Sequence, residues 1–235
     1  VRGEALQLIQ QQIHRWILEQ KAAQEREAAA GRPPSPEVLH PIITVSRQMG
    51  SGGTEMAEMV AARLGFQIFD KELIAAVAEE TGVHRDILEA MDERTRNSVE
   101  QWVNGVLHNR LVTPEDFVRS LGKALIAITR TGRALVMGRG ANFILAGEPG
   151  VHVRAVGGPE HRVSRVARMH GIDREEAEKL VERSDKERTG FVERYLHRDI
   201  DDPTAYHLVI NVELVGLENA VDQVVGLYRK LYPRG

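Results

Sequence analysis

From residue 41 onward, short apolar runs alternate with amphipathic stretches of helical period. The runs at residues 42–45, 66–69, 134–137, 151–156 and 208–212 are mostly apolar with few polar interruptions. That is the pattern of strands buried on both faces. Between them, Met56, Met59, Val60 and Leu64 recur at helical spacing over residues 55–64. Asp70 is placed to cap the next helix, KELIAAVAEETG, which stops at Gly82. Residues 84–109 read as one or two further charged helices. Thr113-Pro114-Glu115-Asp116 is a helix start with a cap, a proline at the first position and acids in the first turn. That helix runs to about residue 130. Gly158-Pro159 opens a helix ending near Gly171, Asp173 caps a long charged one, and residues 217–231 form the last. Such alternation predicts an α/β domain with a five-stranded parallel sheet covered on both faces. Ligands in such sheets bind at the carboxyl ends of the strands. The polar or Gly-rich turns at residues 46–54, 69–72 and 138–141 lie at those ends and are expected to converge.

Ahead of this domain, Leu6, Ile9, Ile13 and Trp16 repeat at helical spacing, which predicts a helical arm over residues 1–32. Pro33, Pro34 and Pro36 make residues 33–40 a linker, and the domain then covers 41–235. The apolar face of the arm either packs on its own domain or meets a second copy or a partner protein. A net charge of −3 over 235 residues argues against a general nucleic-acid binder. No run of 18 apolar residues spans a membrane, no secretory segment is visible and cysteine is absent, so the expected setting is the cytoplasm.

TVSRQMGSGGTEMAEMVAARLG, residues 44–65, has the layout of a P-loop: a strand, a glycine-rich turn and an amphipathic helix. The pattern G-x-x-x-x-G-K-[ST] places a lysine after the second glycine. In that register Arg47 stands at the first glycine and Gly53 at the lysine. Gly50, Gly52 and Gly53 let the backbone curl and approach an anion, Ser51 and Thr54 bring hydroxyls, and Thr54 occupies the position that touches Mg²⁺. Arginine binds phosphate through planar bidentate contacts, so Arg47 is the candidate replacement for the lysine. The other reading is a turn and nothing more. DKERTGFVERYLHRD, residues 185–199, clusters Lys186, Arg188, Arg194 and Arg198 with acids. It reads either as a solvated helix face or as a lid that brings arginines over transferring phosphates. Arg139, between two glycines at a strand end, points to a second anionic group such as an acceptor phosphate. His152, His161 and His170 lack metal-ligand spacing and read as packing or surface residues.

SRQMGSGG, FDKELI, VMGRGANFIL, SDKERTGFVERY, DDPTAYHLVIN and GLENAVD, in this order, resemble the cytidylate kinase-like family. These are relatives of bacterial cytidylate kinases within the P-loop nucleoside monophosphate kinases. The resemblance implies a three-layer sandwich with a helical acceptor-binding insert at about residues 70–112 and a lid at about 183–203. It implies ATP and Mg²⁺ as cofactors, with Gly50, Ser51, Gly52, Gly53 and Thr54 around the donor phosphates and Thr54 on the metal. Asp70 falls near the acceptor nucleotide, and Arg139 matches the arginine of a Gly-Arg-Asp turn that contacts it. Asp185 and Arg188 match part of the lid's Arg-Asp-x-x-Arg segment, with Ser184 in place of its first arginine and Arg183 adjacent. Gly53 for lysine and Gly140 for aspartate depart from the family pattern, and the residues that read cytosine are not matched. The expectation is an ATP-dependent phosphotransferase acting on a CMP-like nucleoside monophosphate or another small phosphorylated acceptor. Arg47, Asp185 and Arg188 are its candidate catalytic residues, and Asp70, Arg139, Arg183 and Arg194 its candidate acceptor contacts. The alternative is a nucleotide-binding regulatory or assembly protein that signals through its N-terminal helix without turnover.

Overall fold

The computed structural model describes residues 41–70, 121–122, 125–126, 128–129 and 133–233. The chain divides into two compact units, Val1–His40 with Lys71–Gly132, and Pro41–Asp70 with Arg133–Gly235. In the first unit the described residues are helical, as expected for the helix opening at Pro114. The N-terminal arm, the proline-rich linker and the helices expected over residues 71–112 lie outside the described residues.

The second unit carries the sheet. Its strands are β1 (Ile42–Arg47), β2 (Gln67–Phe69), β3 (Ala134–Met137), β4 (Gly150–Val156) and β5 (Leu208–Asn211). All pair in parallel in the order β2-β3-β1-β4-β5. β1 is therefore central, and the chain leaves it first toward β2 and later returns to the other side at β4. That reversal of strand order beside β1 is the switch point at which open parallel sheets bind ligands. The helices are α1 (Gly53–Leu64), α2 (Ala141–Ile144), α3 (Pro159–His170), α4 (Arg174–Leu196), α5 (Val212–Val215) and α6 (Leu217–Leu231).

Side-chain alternation gives the sheet two unlike faces. Ile43, Val45, Val151, Val153 and Ala155 join Met56 and Val60 of α1 and Val221 and Val224 of α6 in one apolar core. Fully burying an aliphatic side chain of this size contributes about 1.5–3 kcal/mol, so this layer fixes α1, and with it the loop that precedes α1. Gly65 ends α1 in a left-handed conformation, its N–H bonded back to Ala61. On the other face, Thr44 and Ser46 of β1 stand in register with His152 and Arg154 of β4.

Two expectations need correction. The charged segment 185–199, which a sequence reading sets after the long helix capped by Asp173, is mostly part of that helix; α4 runs unbroken from Arg174 to Leu196. Gly190 costs about 1 kcal/mol inside a helix, but buried Ala177, Val181, Val192 and Leu196 carry the apolar face past it. Asp173 caps this helix as expected, accepting the Glu176 N–H at 2.8 Å. Val212 is not a strand residue, because the Asn211 side chain accepts the Leu214 N–H at 3.3 Å and starts the turn of α5. Among the described residues, no helix is long and apolar enough to cross a membrane.

His152 is buried, with Nδ1 2.9 Å from the Thr44 hydroxyl, and its N–H donates to Nδ1 of His207 at 3.0 Å. Burial first, then the neighbouring His207, lowers its pKa to about 4. The unfolded chain takes up this proton near pH 6.5, well before the folded one does. Stability is thus full above that pH and falls as pH drops toward about 4, by about 3 kcal/mol. Urea midpoints measured from about pH 7 down to 4 are expected to decline with a slope that His152→Gln removes. An equal slope in the variant would contradict this assignment.

Candidate phosphate-binding site

The loop between β1 and α1 is held in one shape by its own side chains. Gly50 and Gly52 have φ of +77° and +86°, a region in which a Cβ is strained. A Cβ on Gly50 would also stand 2.5 Å from the Arg162 carbonyl oxygen, so the loop lies directly on the backbone of α3. The buried Ser51 hydroxyl donates to the Gln48 carbonyl at 2.9 Å and accepts the Gly53 N–H at 3.3 Å. Gln48 Oε1 accepts the Gly157 N–H at 3.2 Å, tying the loop to the end of β4. Met49 packs on Val163, Val166, Ala177 and Val181, the apolar seam between α3 and α4. The loop opens onto the N-terminus of α1, where the helix dipole favours an anion.

Position 53 is closed to a side chain. A Cβ there would stand 2.6 Å from the Cβ of Arg47 and 2.7 Å from the Cβ of Ala155. The two departures from the P-loop pattern are therefore one packing arrangement: the side chain moves from the lysine position to the first-glycine position. Arg47 Nη1 lies 2.9 Å from the point a Cβ on Gly138 would occupy. The arginine thus reaches past the start of α1 to the end of β3, and the glycine there leaves space for it. This contact brings together two of the three turns expected to converge.

Further guanidinium groups close on the loop from α3 and α4. Arg162 Nη1 donates to the Met49 carbonyl at 3.3 Å and pairs with Asp185. Asp185 also accepts the Met49 N–H at 3.2 Å. Arg188 donates to the Arg47 carbonyl at 3.1 Å and lies 3.6 Å from Asp185. Arg154, buried on β4, donates to the Ser46 hydroxyl at 2.8 Å and pairs with Asp201. Burial lowers the Arg188 pKa; Asp185 opposes this, while Arg154 and Arg162 add to it. Arg188 thus feels the charge of both Arg154 and Arg162. An arginine remains protonated throughout the physiological range.

The other expected residues divide. Thr54, half-buried, is the second residue of α1. Arg139 sits at φ +54° in the turn after β3, with its guanidinium 5.3 Å from the Phe191 ring centroid. α4 therefore orients it. Gly140, where the family pattern has aspartate, faces Leu196 of α4 so closely that a Cβ would collide with its side chain. Asp70 follows β2, at the same edge but beyond β3. Arg183 and Arg194 are exposed on α4. Sequence reasoning passed over Arg154 and Arg162. Arg154 had a visible signal, a charge inside the apolar run VHVRAV. Arg162 had none, because Arg165 and Arg168 follow it at the same helical spacing.

Strand order and a phosphate-loop geometry at the centre of the sheet define a P-loop kinase-type fold. Residues 42–214 match the cytidylate kinase-like family, and the chain belongs to it. A solved structure of an uncharacterized protein from Eubacterium ventriosum ATCC 27560 is similar at 22% identity and a TM-score of 0.64. The alignment covers 80% of this chain and 97% of that one. A shikimate kinase from Bacteroides thetaiotaomicron is similar at 15% identity and a TM-score of 0.44, covering 80% of this chain and 97% of that one. No curated protein matches.

The packing at position 53 makes a direct prediction. Gly53→Ala is expected to destabilise the fold by about 1–3 kcal/mol, the range for overpacking a closed site. Removing one of the two obstructing atoms with Arg47→Gly should recover part of that loss. A double-mutant cycle of unfolding free energies measures the coupling, and strict additivity would show that the two positions do not compete for space.

Proposed function

We propose that this protein is a phosphotransferase that moves the terminal phosphoryl group of ATP to a CMP-like nucleoside monophosphate or another small phosphorylated acceptor. The observation that carries this reading is the loop at the start of α1, with Arg47, Arg162 and Arg188 all bound to or packed on it. Membership of the cytidylate kinase-like family supports the reaction class. In the reaction, an acceptor oxygen attacks the terminal phosphorus in line. The new P–O bond forms as the bond to the bridging oxygen breaks, and the leaving diphosphate takes the electron pair. Such transfer depends on positioning and charge neutralisation more than on covalent help. The loop residues 50–54 hold the donor phosphates, and Arg47 and Arg188 neutralise the charge that develops on them. Asp185 acts as a positioning residue, since it fixes Met49 and Arg162. Arg139, oriented by Phe191, holds the acceptor phosphate, and Asp70 borders the same side. Residues 183–203 serve as the lid, which excludes water from the transfer. An intracellular nucleotide pool is the setting this reaction requires.

One observation favours a second reading, binding without turnover. The Asp185 carboxylate already occupies a loop N–H and pairs with Arg162 and Arg188, the kind of groups a phosphate uses. A nucleotide that displaces it would move α4 and report its presence to a partner.

The test is ADP formation from ATP with a panel of nucleoside monophosphates, run beside nucleotide binding. Consumption of one acceptor is the expected result; binding with every acceptor inert would favour the sensor. Arg188→Ala is expected to lower kcat by about 10³, the scale of transition-state arginines. Arg139→Ala should raise the acceptor KM with kcat little changed, and an unchanged KM would remove Arg139 from the acceptor site.

A further inference from the structure

The inference rests on the phosphotransferase reading and concerns how its site is charged. In P-loop NTPases a divalent cation bridges the terminal phosphates, held by the loop hydroxyl and an aspartate. An acid that flanks the loop directly would stand at the carboxyl end of a strand next to β1. Here those neighbours are β3 and β4. β3 ends in Val136-Met137 and is followed by Gly138; β4 ends in Ala155-Val156 and is followed by Gly157. Neither supplies a carboxylate. Asp70 ends β2, two strands away from β1, a distance of about 10 Å.

Among the described residues, four further carboxylates near the loop are already engaged. Asp185 holds the Met49 N–H and Arg162. Glu55, in the first turn of α1, pairs with Arg165 at 2.7 Å. Asp201 pairs with Arg154. Glu213 accepts the Gly158 N–H at 2.8 Å. Among the described residues, the strands beside β1 leave the Thr54 hydroxyl without a carboxylate to complete the metal-holding pair, and no group of three or more His, Cys, Asp or Glu could hold a metal ion. Magnesium demands near-octahedral oxygen ligands and binds through one or two carboxylates together with phosphates. These residues do not fit it.

A different cation stands in the vacant role. The stem of Arg47 passes Gly53 at the mouth of α1, and its guanidinium lies at Gly138, the end of β3. Arg154, Arg162 and Arg188, on β4, α3 and α4, are ion-paired with Asp201 and Asp185. We infer that the loop takes its polyphosphate as the metal-free anion, with the Arg47 guanidinium at the end of β3 in the position a divalent cation holds in other P-loop enzymes. A guanidinium suits this task because its rigid fork of N–H donors binds phosphate oxygens two at a time. It also requires no protein carboxylate to hold it, which accounts for a β3 that ends in Met137 and a glycine.

Isothermal titration calorimetry of the full chain with ATP, ADP and pyrophosphate tests this, in EDTA and again in excess MgCl₂. Binding in EDTA is expected, with an affinity that magnesium does not improve. Arg47→Ala should weaken binding in EDTA by about tenfold or more, the loss of one good charge-assisted contact. Arg47→Lys, which keeps a charge and a stem beside Gly53, should lose less and controls for misfolding. Binding that needs magnesium, or that magnesium tightens by about tenfold or more, would overturn the inference and leave the phosphotransferase reading intact. Metal-free binding that survives Arg47→Ala undiminished would also overturn it. Absence of binding in both buffers would overturn this inference and that reading together.

Discussion

The close approach of Arg47 Cβ to the backbone of Gly53 is the constraint on which the loop's chemistry depends. A side chain fits at one of these two positions and not at both, because Ala155 closes the remaining space. The usual P-loop places the bulk at the second position, as a lysine that reaches the β/γ-phosphates. Here the bulk sits at the end of β1, on a residue paired in register with Ala155. Its cation is consequently a fork fixed at the end of the strand, and the space for it comes from Gly138 on β3. Sheet register, loop glycines and the identity of the cation form one connected choice.

The rest of the site is arranged around that choice. The loop is not self-supporting: Met49 enters the seam between α3 and α4, and Asp185 and Arg162 grip its main chain from those two helices. α4 also sets Arg139 through Phe191 and presses Leu196 against Gly140. One helix therefore touches both the β1–α1 loop and the turn that carries Arg139. Any shift of α4 changes both at once, which is the property a closing element needs. An anion bound at the loop would compete with Asp185 for the Met49 N–H and Arg162.

Much of this fold was legible in the residues. The five strands were marked by apolar runs, three of them flanked by glycine, and α6 by Ala220, Val221, Val224, Val225 and Tyr228 at helical spacing. The unbroken length of α4 was not, because Gly190 and a dense run of charges hid the face carried by Val192 and Leu196. Strand order was not legible either, since short apolar strands of similar composition do not encode their neighbours. Within the site, the glycines and Arg47 stood out because they occupy fixed positions of a known pattern. Arg154 was visible only as a charge in an apolar strand, and Arg162 was one arginine among several on α3. That position 53 is sterically closed follows from the meeting of β1, β4 and α1 in space, and no sequence spacing reveals it.

The most direct measurement is a crystal structure of the protein grown with a nucleoside triphosphate in the absence of divalent metal. The account predicts the terminal phosphates in the turn spanning Gly50 to Thr54, with guanidinium nitrogens of Arg47 about 3 Å from their oxygens. Phosphates bound elsewhere, or an Arg47 side chain turned away from them, would contradict it.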